Sequence, residues 1–350
     1  MSRFWSQGVE GLHPYVPGEQ SNQKGLLKLN TNESPYAPSP VALEAMASVS
    51  GDLLRRYPDP ESKALRATLA AYHTLTPDQV FVGNGSDEVL GFAFRAFFVG
   101  KGALCFPDIS YSFYPVWAQL FDIPTTVLPV DDAYAIPLEA MPESLGGIIF
   151  PNPNAPTGIA VTRKRIEALL RRHPDTVVIV DEAYVDYGAE TALELIDQFD
   201  NLLIVRTLSK SRGLAGLRVG YALGDAALIE GLVRVKDSFN SYPLDAFAQA
   251  GALASVNDEP YFQETVAEVV AARELLTQGL VDLGFEVLPS SANFVLARNL
   301  RKTGLEWHQA LRERNILVRH FNKPRLSDWL RITVGTPEEV RTLLQALTLL

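Results

Sequence analysis

Five short apolar runs, each ending in polar, glycine or proline residues, constrain this chain more than any other feature. They occupy 80–82, 103–106, 148–150, 177–180 and 202–205, with helical patterns such as 87–98 and 162–172 between them. Runs this short and this continuously apolar read as strands buried on both faces. Strands alternating with helices predict an α/β fold with a mostly parallel sheet covered by helices on both sides. In such sheets ligands bind in the crevice beyond the carboxyl ends of the strands. The residues that follow the runs are Gly83-Asn84-Gly85-Ser86-Asp87, Pro107-Asp108, Pro151 to Gly158, Asp181-Glu182 and Arg206 to Lys210. Topology alone predicts that these five sets gather at one sheet edge.

The rest of the chain is arranged around that frame. Residues 1–40 are rich in Pro, Gly and Asn and read as an irregular N-terminal arm. Residues 41–250 hold the alternating pattern and read as a large domain. Residues 251–350 change texture: a helix over 259–282, strand-like 285–288 and 293–297, a helix over 304–314, strands 316–319 and 330–334, and a final helix from Pro337. That order predicts a smaller α+β domain. A length of 350 residues, 47% of them hydrophobic, suffices for two cores. The net charge of −10 disfavours nucleic acid or an anionic membrane surface as partner, since both require a cationic face. The single cysteine, Cys105, lies in an apolar run and reads as a small buried hydrophobe. Residues 1–20 carry no apolar signal core, and no stretch of about 18 apolar residues occurs. A soluble, cytoplasmic protein is the expectation.

Three strand ends carry chemistry. Gly83-Asn84-Gly85-Ser86-Asp87 leaves a strand and opens a helix, so its backbone N–H groups can bind an anion. It fits neither a Walker motif nor a GxGxxG dinucleotide turn, and a plain glycine turn with Ser86 or Asp87 as helix cap explains it equally well. Asp181 ends an apolar strand without the further ligands a metal would need; a cationic ring nitrogen suits it better, though taken alone it reads as a structural cap or ion pair. Lys210 follows a strand closely enough to sit partly desolvated in the crevice, where its neutral, nucleophilic form is favoured. Arg218, eight residues on, can fork onto a phosphate. Taken singly, a lysine is ordinarily a solvated surface charge.

The surrounding residues decide the matter. Thr207-Leu208-Ser209-Lys210 with Leu214 to Gly220, Val180-Asp181-Glu182-Ala183-Tyr184, Leu330 to Gly335, Leu29-Asn30-Thr31-Asn32-Glu33 and Arg56-Tyr57-Pro58 together resemble the histidinol-phosphate aminotransferase family. These are fold-type-I enzymes that use pyridoxal 5′-phosphate (PLP), and the resemblance covers nearly the whole chain. It implies a seven-stranded, mostly parallel sheet and a homodimer. It also implies that Lys210 forms the Schiff base and shuttles a proton, Asp181 pairs with the ring nitrogen, Tyr184 bonds the ring oxygen and Tyr111 stacks on the ring. Gly85, Ser86, Asp87, Ser209 and Arg218 would hold the phosphate, with Tyr57 reaching the neighbouring subunit's site. Arg331 would bind an α-carboxylate, Arg319 and Tyr15 the substrate's phosphate end, and Asn32 and Glu33 would lie near the imidazole end.

One position departs from the family pattern. In Asn152-Pro153-Asn154-Ala155-Pro156-Thr157-Gly158, Ala155 stands where the family carries an asparagine on the ring oxygen. Asn154 is then the candidate for that contact, with Tyr184 alone as the alternative. The implied reaction is transfer of an amino group from L-histidinol phosphate to 2-oxoglutarate. An aromatic aminotransferase or a phosphothreonine-type decarboxylase on the same scaffold is the rival activity, and a non-enzymatic binding module the rival class. Intact Lys210, Asp181 and Arg218 disfavour the last.

Overall fold

The computed structural model describes residues 3–15, 18–21 and 23–350. Strand β1 (Leu27–Leu29) lies in the N-terminal arm. Strands β2 (Val80–Asn84), β3 (Leu104–Pro107), β4 (Thr125–Leu128), β5 (Gly147–Pro151), β6 (Val178–Asp181), β7 (Leu202–Thr207) and β8 (Val219–Gly224) form one sheet, in the order β2-β8-β7-β6-β5-β3-β4. Strand β8 is antiparallel to both neighbours, and the remaining pairs are parallel. The protein thus has the expected α/β architecture, with a mostly parallel seven-stranded sheet. Every residue of β5, β6, β7 and β8 is buried, because helices cover both faces. Separate apolar clusters fill the space on the two sides.

Two strands of this sheet carry no clear sequence signal. Strand β4 is a short edge strand with three of its four residues outside the core. Strand β8 contains Gly220 and Gly224, which weaken any strand pattern. Gly220 is required by close approach: a Cβ there would lie 2.2 Å from the Ser86 backbone nitrogen.

The smaller sheet contains β9 (Glu286–Val287), β10 (Phe294–Arg298), β11 (Ile316–His320) and β12 (Leu330–Thr333), in the order β1-β11-β12-β10-β9. The arm is therefore not irregular throughout. Strand β1 pairs in parallel with β11, because Leu27 and Leu29 add to the apolar cluster beneath the small sheet. The helix Glu259–Asp282 backs that sheet, burying Phe262, Val266, Val269, Leu276 and Leu280 along one stripe. Each such side chain contributes about 1.5–3 kcal/mol when fully buried. Arg273 interrupts the stripe, and its guanidinium donates to the carbonyls of Tyr187 and Ala292. Position 250 lies inside the helix Ala246–Asn257, which packs on the helices Pro40–Ala47 and Lys63–His73; the chain leaves that helix only at Asp258.

Candidate active site

The carboxyl ends of β2, β5, β6 and β7 converge on one cleft, which also receives the start of antiparallel β8. Beyond β2, Gly85 takes a φ of +79° and opens the helix Gly85–Phe97. Its missing side chain matters: a Cβ there would sit 2.5 Å from a guanidinium nitrogen of Arg218. Arg218 precedes β8 with a φ of +56°, a strained left-handed conformation for a non-glycine residue. Its guanidinium lies 3.2 Å from a carboxylate oxygen of Asp87. Free N–H groups of a helix start, a glycine turn and a forked cation form a cradle for a phosphate. Buried Ser209 lines the same cleft, as do Ser86 and Asp87.

Asp181 and Glu182 point to opposite sides of the strand end. Glu182 is fully buried against Arg206 at 2.8 Å, accepts from Thr191 and the Ala192 N–H, and is structural. Asp181 faces the cleft. It accepts from the Tyr114 hydroxyl at 2.8 Å and from the Ala183 N–H at 3.3 Å, with no cation paired to it among the described residues. Burial pushes its carboxyl up from 3.8 to about 6. A buried acid without a cation fits a cationic heteroaromatic nitrogen on the cleft floor, one phosphate-bearing ring away from the cradle. Tyr111 walls the cleft, its hydroxyl donating to Asp87 at 2.8 Å and its ring edge-on to Tyr114. Burial and the Asp87 charge raise that phenol well above its ordinary range.

Lys210 opens into the cleft with its ammonium 5.7 Å from the Tyr184 ring centroid and no carboxylate paired to it among the described residues. The Tyr184 hydroxyl accepts from the Asn32 side-chain amide at 2.9 Å. Arg331 and Arg319 line the adjoining cavity with Tyr15, their guanidinium carbons 5.5 and 5.4 Å from the Phe321 ring centroid. Arg331 donates to the Asn30 carbonyl at 2.9 Å, and its buried Nε has no partner among the described residues. Burial and the nearby Arg319 charge depress its guanidinium. Two arginines without a carboxylate partner among the described residues, beside Lys210, make a receptor for anions.

Four expected residues are placed elsewhere or otherwise engaged. Asn154 is fully buried and donates to the Ile109 carbonyl at 2.9 Å, so the side chain lining the cleft is that of Ala155. Glu33 turns away from the cleft to pair with Lys28. Asn32 reaches the cavity, but its amide is held by Tyr184 and Thr333 rather than free for a substrate. Tyr57 is exposed on the surface, stacked 4.7 Å from Tyr242 and outside this chain's cleft. Sequence reasoning missed Tyr114, Phe321 and Asn293, which act through contacts distant in sequence, and assigned no part to Thr333, although it lies within the Leu330 to Gly335 motif.

The model for class I and II aminotransferases matches residues 24–347. This chain belongs to that aminotransferase family. The curated relatives place it in the histidinol-phosphate aminotransferase group. Histidinol-phosphate aminotransferase 1 of Bordetella parapertussis is 56% identical over 99% of this chain and 98% of its own. The enzyme of Gluconacetobacter diazotrophicus is 56% identical with the same coverage. Among solved structures, the histidinol-phosphate aminotransferase of Sinorhizobium meliloti in complex with pyridoxal-5′-phosphate superposes with a TM-score of 0.87 at 25% identity, covering 99% of this chain and 97% of that one. In this aminotransferase the catalytic lysine expected by the resemblance, Lys210, stands in the cleft between Asp181 and the two arginines.

Proposed function

We propose that this aminotransferase holds PLP in the cleft and transfers the amino group of L-histidinol phosphate to 2-oxoglutarate, giving imidazole acetol phosphate and L-glutamate. The observation that carries the substrate reading is the Arg319–Phe321–Arg331 cluster in the cavity adjoining the cleft, where neither arginine has a carboxylate partner among the described residues. The donor has a phosphate and the acceptor two carboxylates, so each of the two alternating substrates presents an anion to the same arginines. Tyr15 adds a hydroxyl at that end of the cavity.

Bound at this site, PLP supplies an electron sink for the charge that develops at the substrate Cα. The chain's own groups do the rest. Backbone N–H groups of Gly85, Ser86 and Asp87, with Ser209 and Arg218, would hold the phosphate, and Tyr111 would wall the ring. Asp181 holds a proton at the ring nitrogen, and that cation restores the ionised carboxylate which burial alone disfavours. Tyr184 donates to the ring oxygen. Lys210 would hold the cofactor covalently in the resting enzyme and, once displaced by the substrate amine, its free amine would take the proton from the substrate Cα and return it on the other side of the C–N bond. Arg331 grips the carboxylate of 2-oxoglutarate in a two-pronged contact and, with Arg319, the phosphate of the donor.

A homodimer with shared sites belongs to the same proposal. Leu53, Leu54, Phe239 and the stacked Tyr57 and Tyr242 are exposed; a second copy covering them fits a dimer in which, as the family resemblance implies, Tyr57 reaches the neighbouring phosphate cradle. A cytoplasmic location suits an enzyme with these substrates; no helix of the described residues is long and apolar enough to cross a membrane. Steady-state turnover tests the substrate reading. Histidinol phosphate with 2-oxoglutarate should exceed phenylalanine with 2-oxoglutarate in kcat/KM by about tenfold or more. The reverse order would assign the site to aromatic amino acids.

A further inference from the structure

Asn32 has a φ of +56°, and its four polar groups are all bonded. Its N–H donates to Thr333 Oγ1 at 2.9 Å, and its carbonyl accepts from Asn293 Nδ2 at 3.0 Å. Its Oδ1 accepts from the Thr333 hydroxyl at 3.2 Å, and its Nδ2 donates to Tyr184 Oη at 2.9 Å. These bonds fix one another. Thr333 Oγ1 takes the backbone N–H of Asn32, so its own proton goes to Oδ1; with Oδ1 on that side, the NH2 group must face Tyr184. Tyr184 Oη is thereby an acceptor toward Asn32, and its single proton has to point elsewhere. The cleft is the open direction.

Beside Tyr184, residue 155 lines the cleft without a hydrogen-bonding side chain. Ala155 packs in an apolar patch with Ala292, Phe294 and the Tyr184 ring, and the Asn154 amide is tied to Ile109. We infer that Asn32 is a positioning residue: by donating to Tyr184 Oη, it aims the phenolic proton at the ring oxygen of the cofactor, a task that rests on Tyr184 alone because residue 155 is alanine. An oxygen that accepts one hydrogen bond is also a stronger donor through its own proton. This inference rests on the cofactor reading above. It adds a coupling between the two sheets. Thr333 and Arg331 are two residues apart on β12 and so share a face. The strand that grips the substrate anion therefore also holds the residue that orients Tyr184.

The test is a pH titration of the visible absorbance band of the PLP-loaded enzyme. A donor aimed at the ring oxygen competes for that oxygen with the neighbouring protonated nitrogen, so losing the donor raises the pH midpoint. Tyr184→Phe sets the full effect, a rise of about one to two pH units for one charge-assisted hydrogen bond. Asn32→Gly, which suits a positive φ, should raise the midpoint in the same direction and add nothing in a Tyr184→Phe background. Thr333→Val preserves side-chain volume, frees the Asn32 amide to turn over, and should produce a smaller rise of the same sign. If Asn32→Gly does not fold, Thr333→Val decides. Midpoints equal to the parent's in the folded variants would overturn the inference, as would an Asn32 shift that persists undiminished without the Tyr184 hydroxyl. A parent protein that gains no visible band with PLP would instead overturn the cofactor reading.

Discussion

Replacing Arg331 with glutamine should separate function from stability in opposite directions. In the substrate-free protein the Arg331 guanidinium is a poorly satisfied cation: one nitrogen donates to the Asn30 carbonyl, the buried Nε has no partner among the described residues, and burial depresses the group. A carboxylate bound by both prongs would supply two charge-assisted hydrogen bonds of about 1.5–3 kcal/mol each. Losing both removes about 3–6 kcal/mol, or about 10²- to 10⁴-fold in kcat/KM for 2-oxoglutarate. The folded protein without substrate loses the bond to Asn30 and the cation–π contacts with Phe294 and Phe321 but is relieved of a desolvated charge, so its Tm should change little or rise. Single-turnover kinetics of the 2-oxoglutarate half-reaction and thermal unfolding of the same preparation measure the two quantities. A fall in kcat/KM below about fivefold would refute the two-pronged grip. A large drop in Tm would show that Arg331 is a structural residue.

Three further outcomes follow from the geometry. The Asp181 carboxyl is raised from 3.8 to about 6 by burial, so the cofactor-free native state binds its proton more tightly than the unfolded chain; that stabilisation is present below 3.8 and is lost as pH rises through about 6. Cofactor-free Asp181→Asn should lack this pH dependence and be more stable than the parent at neutral pH, yet retain PLP poorly, as denaturant unfolding and cofactor dialysis would show. Mixing inactive Lys210→Ala with impaired Tyr57→Ala under subunit exchange should recover activity, because a shared site regains its own lysine and the partner's tyrosine; no recovery would mean unshared sites. Glu182→Gln should destabilise the fold by up to about 3–5 kcal/mol in urea unfolding, because it removes the nearer carboxylate from the buried Arg206 guanidinium and leaves only Asp186 at 3.7 Å.

What the sequence disclosed follows from which interactions are local. Strands β2, β3, β5, β6 and β7 are legible because burial on both faces makes them continuously apolar, and Asp181 and Lys210 are legible because topology sends strand ends to the crevice. Strand β8 is hidden by Gly220, a residue dictated by the Ser86 backbone across the sheet rather than by strand propensity. Tyr114 lies at the start of a helix with no motif around it and matters only because Asp181 arrives from another strand. The position of Asn32 is legible, but its part is not. Its partners Thr333 and Asn293 lie about 300 and 260 residues away in sequence, at separations of 301 and 261. Ala155 was visible as a departure, and the fate of Asn154 was not, since that depends on the Ile109 carbonyl reaching it first.

The central claim is that the cleft around Lys210 takes the amino group from a phosphate-bearing donor. The most direct measurement is a half-reaction: PLP-loaded protein mixed with L-histidinol phosphate without any acceptor, followed at the visible cofactor band. The band should disappear stoichiometrically, and 2-oxoglutarate added afterwards should restore it. If histidinol phosphate leaves the band intact while phenylalanine or another aromatic amino acid bleaches it, the claim is contradicted.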